Sequence, residues 1–123
     1  MKQYITVEQF DELGNKQRQL LRDWWRPQPE DHIYFNGKYK VMIEPDSHFV
    51  GTSDVKCYPI LSIGQMIEFL DEKVSGKWSI DNTDSDGWYV GGGNMDTYPK
   101  GSHDSLEPCD ALWEAVKEEA NKE

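Results

Sequence analysis

The sequence predicts an α+β fold: a single domain with an antiparallel sheet of about four to five strands from two hairpins, and N-terminal, central and C-terminal helices packed on it. Three observations predict it. T-V-E-Q at residues 6–9 and S-I-G-Q at residues 62–65 are capping boxes, in which a Thr or Ser opens a helix and a Gln three residues on folds back to the cap. Asn36-Gly37 stands between alternating apolar and aromatic residues, the pattern of a two-residue β-hairpin. K-W-S-I and W-Y-V, rich in β-branched and aromatic residues, flank D-N-T-D-S-D-G as a second hairpin. At 123 residues there is material for one modest core, so 1–123 is expected to be one domain.

Each element follows from local pattern. After Thr6, Phe10 and Leu13 share a face, Gly14-Asn15 interrupts, and Leu20, Leu21, Trp24 and Trp25 resume until Pro27, which predicts a short helix, a break and a second helix. Adjacent helical residues stand about 100° apart, so one of Trp24 and Trp25 enters the core and the other lies on its rim or meets a partner. In the first hairpin Ile33, Phe35, Tyr39, Val41 and Ile43 are expected on one face, with His32, Tyr34, Lys38, Lys40 and Met42 on the other. Pro45 and the polar residues to Asp54 read as a loop, and V-K-C-Y-P-I-L as an extended segment. Ser62 opens a helix with a buried stripe of Ile63, Met66, Ile67 and Leu70. Beyond the second hairpin, G-G-G-N-M-D-T-Y-P-K-G-S-H-D-S lacks periodicity and reads as a long connection. Pro108 opens a last helix with a stripe of Cys109, Leu112, Trp113, Val116 and Ala120, and E-E-A-N-K-E is expected to fray.

The residues that could carry chemistry are few. Asn82, Asp84, Asp86 and Gly87 match the first half of a calcium loop, but the position of the closing bidentate Glu holds Gly93, and the flanks are strand-like rather than helical. A polar turn without a metal is expected there. Cys57 and Cys109 lack C-x-x-C spacing and read as packed thiols. His32, His48 and His103 form no paired ligand motif. V-G-G-G-N-M-D lacks the Lys of a phosphate loop. No catalytic residue, metal or cofactor is expected, and the chain reads as a non-enzyme, with a small enzyme whose site the sequence does not display as the third alternative.

Charge and aromatic content carry more. Asp plus Glu number 23 against 13 Lys plus Arg, a formal charge of −10. Direct nucleic-acid binding is disfavoured, because phosphate contacts need clustered Lys and Arg. Solubility explains any acidic surface, and steering toward a protein with a basic surface explains it more sharply. Five Trp, six Tyr and four Phe exceed the needs of a small core. Trp78, Asp81, Asp84, Asp86, Trp88, Tyr89 and Tyr98, around the second hairpin and its exit, are therefore the candidate binding residues. An alternative ligand is a small nucleotide-like signal held by stacking aromatics, with Lys38, Lys40, Lys56 and Lys77 available to meet its phosphate. No apolar run reaches membrane-spanning length, and the polar N-terminus is unlike a signal peptide, so a cytoplasmic chain is expected.

The segments P-I-L-S-I-G-Q-M-I-E-F-L-D-E-K and C-D-A-L-W-E-A-V-K-E, with the opening I-T-V-E-Q-F and L-L-R-D-W-W-R-P-Q, cover about half the chain. In phrase and order they resemble small acidic accessory proteins of Firmicutes phages and prophages. The resemblance implies action in the host bacterial cytoplasm and a class that includes inhibitors of anti-phage defence. It transfers no site residues.

Overall fold

Thr6 and Ser62 fix where two of the helices begin. In the computed structural model, which describes residues 2–26, 28–35, 37–41, 57–83, 87–98 and 107–122, Thr6 Oγ1 accepts from Gln9 N at 3.1 Å and Gln9 Oε1 accepts from Thr6 N at 2.9 Å. This reciprocal pair satisfies amides that a helix start otherwise leaves unbonded and opens α1 (Val7–Asp11). The chain divides into two compact units, Thr6–Leu61 and Ser62–Glu123 with Met1–Ile5.

In the first unit, α1 ends before the break at Gly14 and α2 (Asn15–Trp24) follows. Trp25 is 3% exposed, whereas Trp24 packs half-buried at the edge of the same cluster. The burial of the indole is compatible with its polar atom because Trp25 Nε1 donates to Asp31 Oδ2 at 3.0 Å. Strands β1 (His32–Phe35), β2 (Lys38–Val41) and β3 (Cys57–Ile60) form an antiparallel sheet in the order β2-β1-β3. The hairpin turn is the expected one: Phe35 pairs with Lys38, and Gly37 takes φ +82°. Asn36, Met42 and Ile43 lie outside the described residues.

The expected faces of this hairpin need correction. A two-residue turn places Phe35 opposite Lys38 and Tyr34 opposite Tyr39, and directly opposed residues point to the same side. Tyr39 and Val41 therefore share a face with Tyr34 and His32, while Lys38 and Lys40 join Ile33 and Phe35. The Lys40 ammonium indeed sits 5.3 Å from the centre of the Phe35 ring. Ile33, on that face, is buried with Trp25.

In the second unit, Ser62 caps α3 (Ile63–Lys73) with the same reciprocal geometry, Ser62 Oγ accepting from Gln65 N at 3.1 Å and Gln65 Oε1 accepting from Ser62 N at 2.9 Å. Its buried side chains are Met66, Phe69 and Leu70, so the stripe is rotated from the expected one and Ile63 and Ile67 stay half-buried. Strands β4 (Trp78–Thr83) and β5 (Gly87–Gly92) pair antiparallel as the second hairpin, and β6 (Met95–Tyr98) adds to β5. The glycine-rich stretch is thus no structureless connection up to Tyr98. Gly93-Asn94 makes a turn between Gly92 and Met95, and Asn94 ties it down: Asn94 Oδ1 accepts from Ser75 N at 2.9 Å, and Asn94 N donates to Ser75 O at 3.0 Å. Gly93 adopts φ +60° with Ser75 O and Val74 Cγ1 against the place a Cβ would occupy, which is why glycine stands there.

Helix α4 (Pro108–Asn121) buries Cys109, Ala111, Leu112, Trp113, Ala115, Val116 and Ala120, and packs on α3, β5 and β6. It continues past the expected fraying point because Glu119, 4% exposed, pairs with Lys122 at 2.9 Å. The N-terminal residues join this unit: Gln3 O accepts from Ile63 N at 3.0 Å, and Lys2 Nζ meets Asp110 Oδ1 at 2.5 Å.

The α+β class is as predicted, with helices and antiparallel hairpins in the expected order. The strands form two three-stranded sheets rather than one of four to five. Each hairpin takes its third strand from its own unit, β3 beside β1 and β6 beside β5, so the pairing that completes each sheet is local. Among the described residues, no helix is long and apolar enough to cross a membrane.

Candidate functional site

The register of the first sheet builds a row of aromatic rings. Tyr34, on the central strand, lies directly opposite Tyr39 on one side and Tyr58 on the other. Tyr34 and Tyr39 meet edge to face with ring centres 5.0 Å apart, and Tyr34 and Tyr58 are stacked at 6.3 Å with only 22° between their planes. Phe10 of α1 continues the row at 4.9 Å from Tyr58. Burial grades along it: Phe10 is fully buried, Tyr34 half-buried, and Tyr39 59% exposed.

Helix α1 lies against this row and contributes carboxylates. Tyr58 Oη donates to Asp11 Oδ1 at 3.3 Å, and Val7 N donates to Tyr39 Oη at 3.3 Å, so a first-turn amide of α1 is satisfied by a tyrosine rather than by the chain itself. Arg18 Nη1 reaches Asp11 Oδ1 at 3.3 Å and Leu13 O at 2.9 Å. Val7, Glu8, Asp11, Tyr34, Gly37 and Tyr58 line an open recess of about 360 Å³. Glu8 and Asp11, three apart on the helix, point to the same side. The Glu8 carboxylate accepts no hydrogen bond from another described residue.

Two carboxylates beside the negatively polarised faces of tyrosine rings make a site that favours positive charge and repels phosphate. None of these residues was among the sequence-derived candidates. The signal was in the Asn-Gly turn, because a two-residue loop already dictates that Tyr34 faces Tyr39.

The predicted candidates occupy the other sheet. Asp81 pairs directly with Tyr89, and Trp78 and Trp88 stand at alternate register positions with the buried Val90 of β5, the strand against which α4 packs. The described members are therefore divided between two faces. Trp78 is half-buried and its Nε1 donates to Asp71 Oδ1 at 2.8 Å; Asp81 is exposed and accepts from Ser79 Oγ at 3.1 Å. Trp88 and Tyr89 are half-buried. Tyr98 stands opposite Val90 on β6, and its side chain, like Asp84 and Asp86, lies outside the described residues.

Cys109 is a buried thiol, pushed up from 9.0 to about 11 by loss of solvent, with Lys2 pulling it down and Asp110 and Glu107 pushing it further up. A thiol so protonated is a poor nucleophile. His32 is on β1, while His48 and His103 lie outside the described residues. Among the described residues no three His, Cys, Asp or Glu side chains are grouped to hold a metal ion. No family model, no curated protein and no solved structure matches the chain, so the reading of its site rests on this geometry alone.

Proposed function

We propose that the chain is a non-enzymatic binding protein that engages and inhibits a protein partner with a basic surface. The observation that supports this reading most is the tyrosine and carboxylate recess, set in a chain whose formal charge is −10. The diffuse charge accelerates encounter with a basic partner, and the recess supplies the short-range contact. The cross-strand pair of the exposed Asp81 with the half-buried Tyr89 repeats the same chemistry, an acid beside an aromatic, on the second unit. With the resemblance to phage accessory proteins, the partner is a factor of the host cytoplasm, such as a component of anti-phage defence.

A nucleotide signal fits the recess less well. Its charged lining is Glu8 and Asp11, which repel phosphate, and Lys38 and Lys40 stand on the opposite face of the sheet.

The test is affinity capture from host lysate with the full chain, repeated from about 50 to about 300 mM salt and with the double variant Glu8→Gln, Asp81→Asn. The captured protein should be basic, and its recovery should fall with salt and with the variant. A partner held equally in all conditions would sink the proposal.

A further inference from the structure

We infer that the recess of the first unit seats an arginine side chain of the partner in preference to a lysine; this rests on the basic-partner reading and deepens it. Three features select the planar cation. The Tyr34 and Tyr58 rings that line it are stacked with only 22° between their planes, so the ring surface it presents has nearly one orientation. A guanidinium stacks on such a face and is weakly hydrated, whereas an ammonium is a compact, strongly hydrated point charge. Glu8 and Asp11, three apart on α1, have Cβ atoms about 5–6 Å apart, which brings their carboxylates within reach of one fork of five N–H donors.

The remaining acceptors point the same way. Asp11 Oδ1 is engaged by Arg18 and by the Tyr58 hydroxyl, and no described residue engages its second oxygen or the Glu8 carboxylate. The chain itself uses a guanidinium at the rim: Arg18 spans the Asp11 carboxylate, the Leu13 carbonyl and Asn15 Oδ1. At about 360 Å³ the recess is near the lower limit of small-molecule pockets. It accommodates one long side chain rather than an extended ligand.

The experiment titrates three capped tripeptides, Gly-Arg-Gly, Gly-Lys-Gly and the neutral citrulline counterpart, into the isotopically labelled full chain, followed by amide chemical shifts. The arginine peptide should move the resonances of Val7, Glu8, Asp11, Tyr34, Gly37 and Tyr58, with an affinity at least about fivefold above the lysine peptide, and citrulline should not saturate. Glu8→Gln should weaken the arginine peptide by about three- to fivefold while leaving the rest of the spectrum in place, since Glu8 is exposed. Tyr34→Leu should weaken it as well; if that variant fails to fold, Glu8→Gln still decides. Equal affinity for lysine would overturn the preference for arginine and leave the basic-partner reading standing. Arginine shifts that fall elsewhere, are absent at millimolar peptide, or ignore Glu8→Gln would overturn the seat itself, whereas the lysate capture judges the broader reading separately.

Discussion

Replacing Gly92 with Ala tests whether the β4-β5-β6 sheet is built as described. Gly92 closes β5 opposite Trp78 with φ +116°, a conformation that L side chains rarely adopt. A Cβ there would stand 2.7 Å from Lys77 O and 2.9 Å from Trp78 Cα. Both obstacles are backbone, so neither can swing aside as a flexible side chain would. The strained φ alone costs on the order of 1–3 kcal/mol, and separating two paired strands to admit the methyl raises the total to about 3 kcal/mol or more. That is a large share of the 5–15 kcal/mol or so that holds a domain together. For a chain of this length it should lower the melting temperature by about 10 °C. Gly64→Ala is the control: Gly64 lies in the first turn of α3, where a Cβ would meet only Ser62 Oγ at an ordinary 3.8 Å. There the better helix propensity of Ala gains up to about 1 kcal/mol. Thermal melts by circular dichroism read both. If Gly92→Ala melts within about 2 °C of the parent, or Gly64→Ala falls as far, the turn geometry is wrong.

Cys109 should resist alkylation: in a Cys57→Ser background, iodoacetamide at about pH 8 should react at least about tenfold more slowly with the folded chain than in urea, and equal rates would contradict its burial. Because the folded thiol titrates at about 11 rather than 9.0, its contribution to stability is complete below pH 9.0 and is lost as pH rises through about 11. Urea midpoints across that window should show the loss, and Cys109→Ala should remove it. Ser62→Ala should cost about 1 kcal/mol in denaturant midpoint, with Ser62→Thr retaining most of it, because the hydroxyl that satisfies Gln65 N is what is removed.

The elements legible in the sequence are those decided by near neighbours. Thr6 with Gln9, Ser62 with Gln65, Asn36-Gly37 and Pro108 each act within four residues, and each produced the element expected of it. What was missed depends on residues far apart. The Gly93-Asn94 turn is secured by Ser75, 19 residues away, and without that clip the stretch reads as polar connection. Phe69 enters the core in place of Ile67 because the packing against α4 sets the rotation of α3, which periodicity alone leaves loose. Glu119 looks like a frayed acidic end until Lys122 is seen to pair with it. The tyrosine row is a different case, since only β3 had to be placed from outside: the turn length already set Tyr34 against Tyr39, and the face assignment went astray by one register position.

That register also bears on what the acidity is for. Among the described strands β2 is an edge, with Tyr39 59% and Val41 55% exposed, and an exposed apolar edge invites pairing with another copy. Lys38 and Lys40 occupy its alternate positions, a common guard against such pairing, and a formal charge of −10 adds repulsion between whole molecules. The same charge does not repel a cation. On the proposed reading, an aromatic surface that would be a liability on a neutral protein can thus stay open on this one and meet a basic partner. Solubility and the proposed recognition would then draw on one property of the surface, and neutralising Glu8 should weaken cation binding without the loss of solubility that removing many carboxylates would bring.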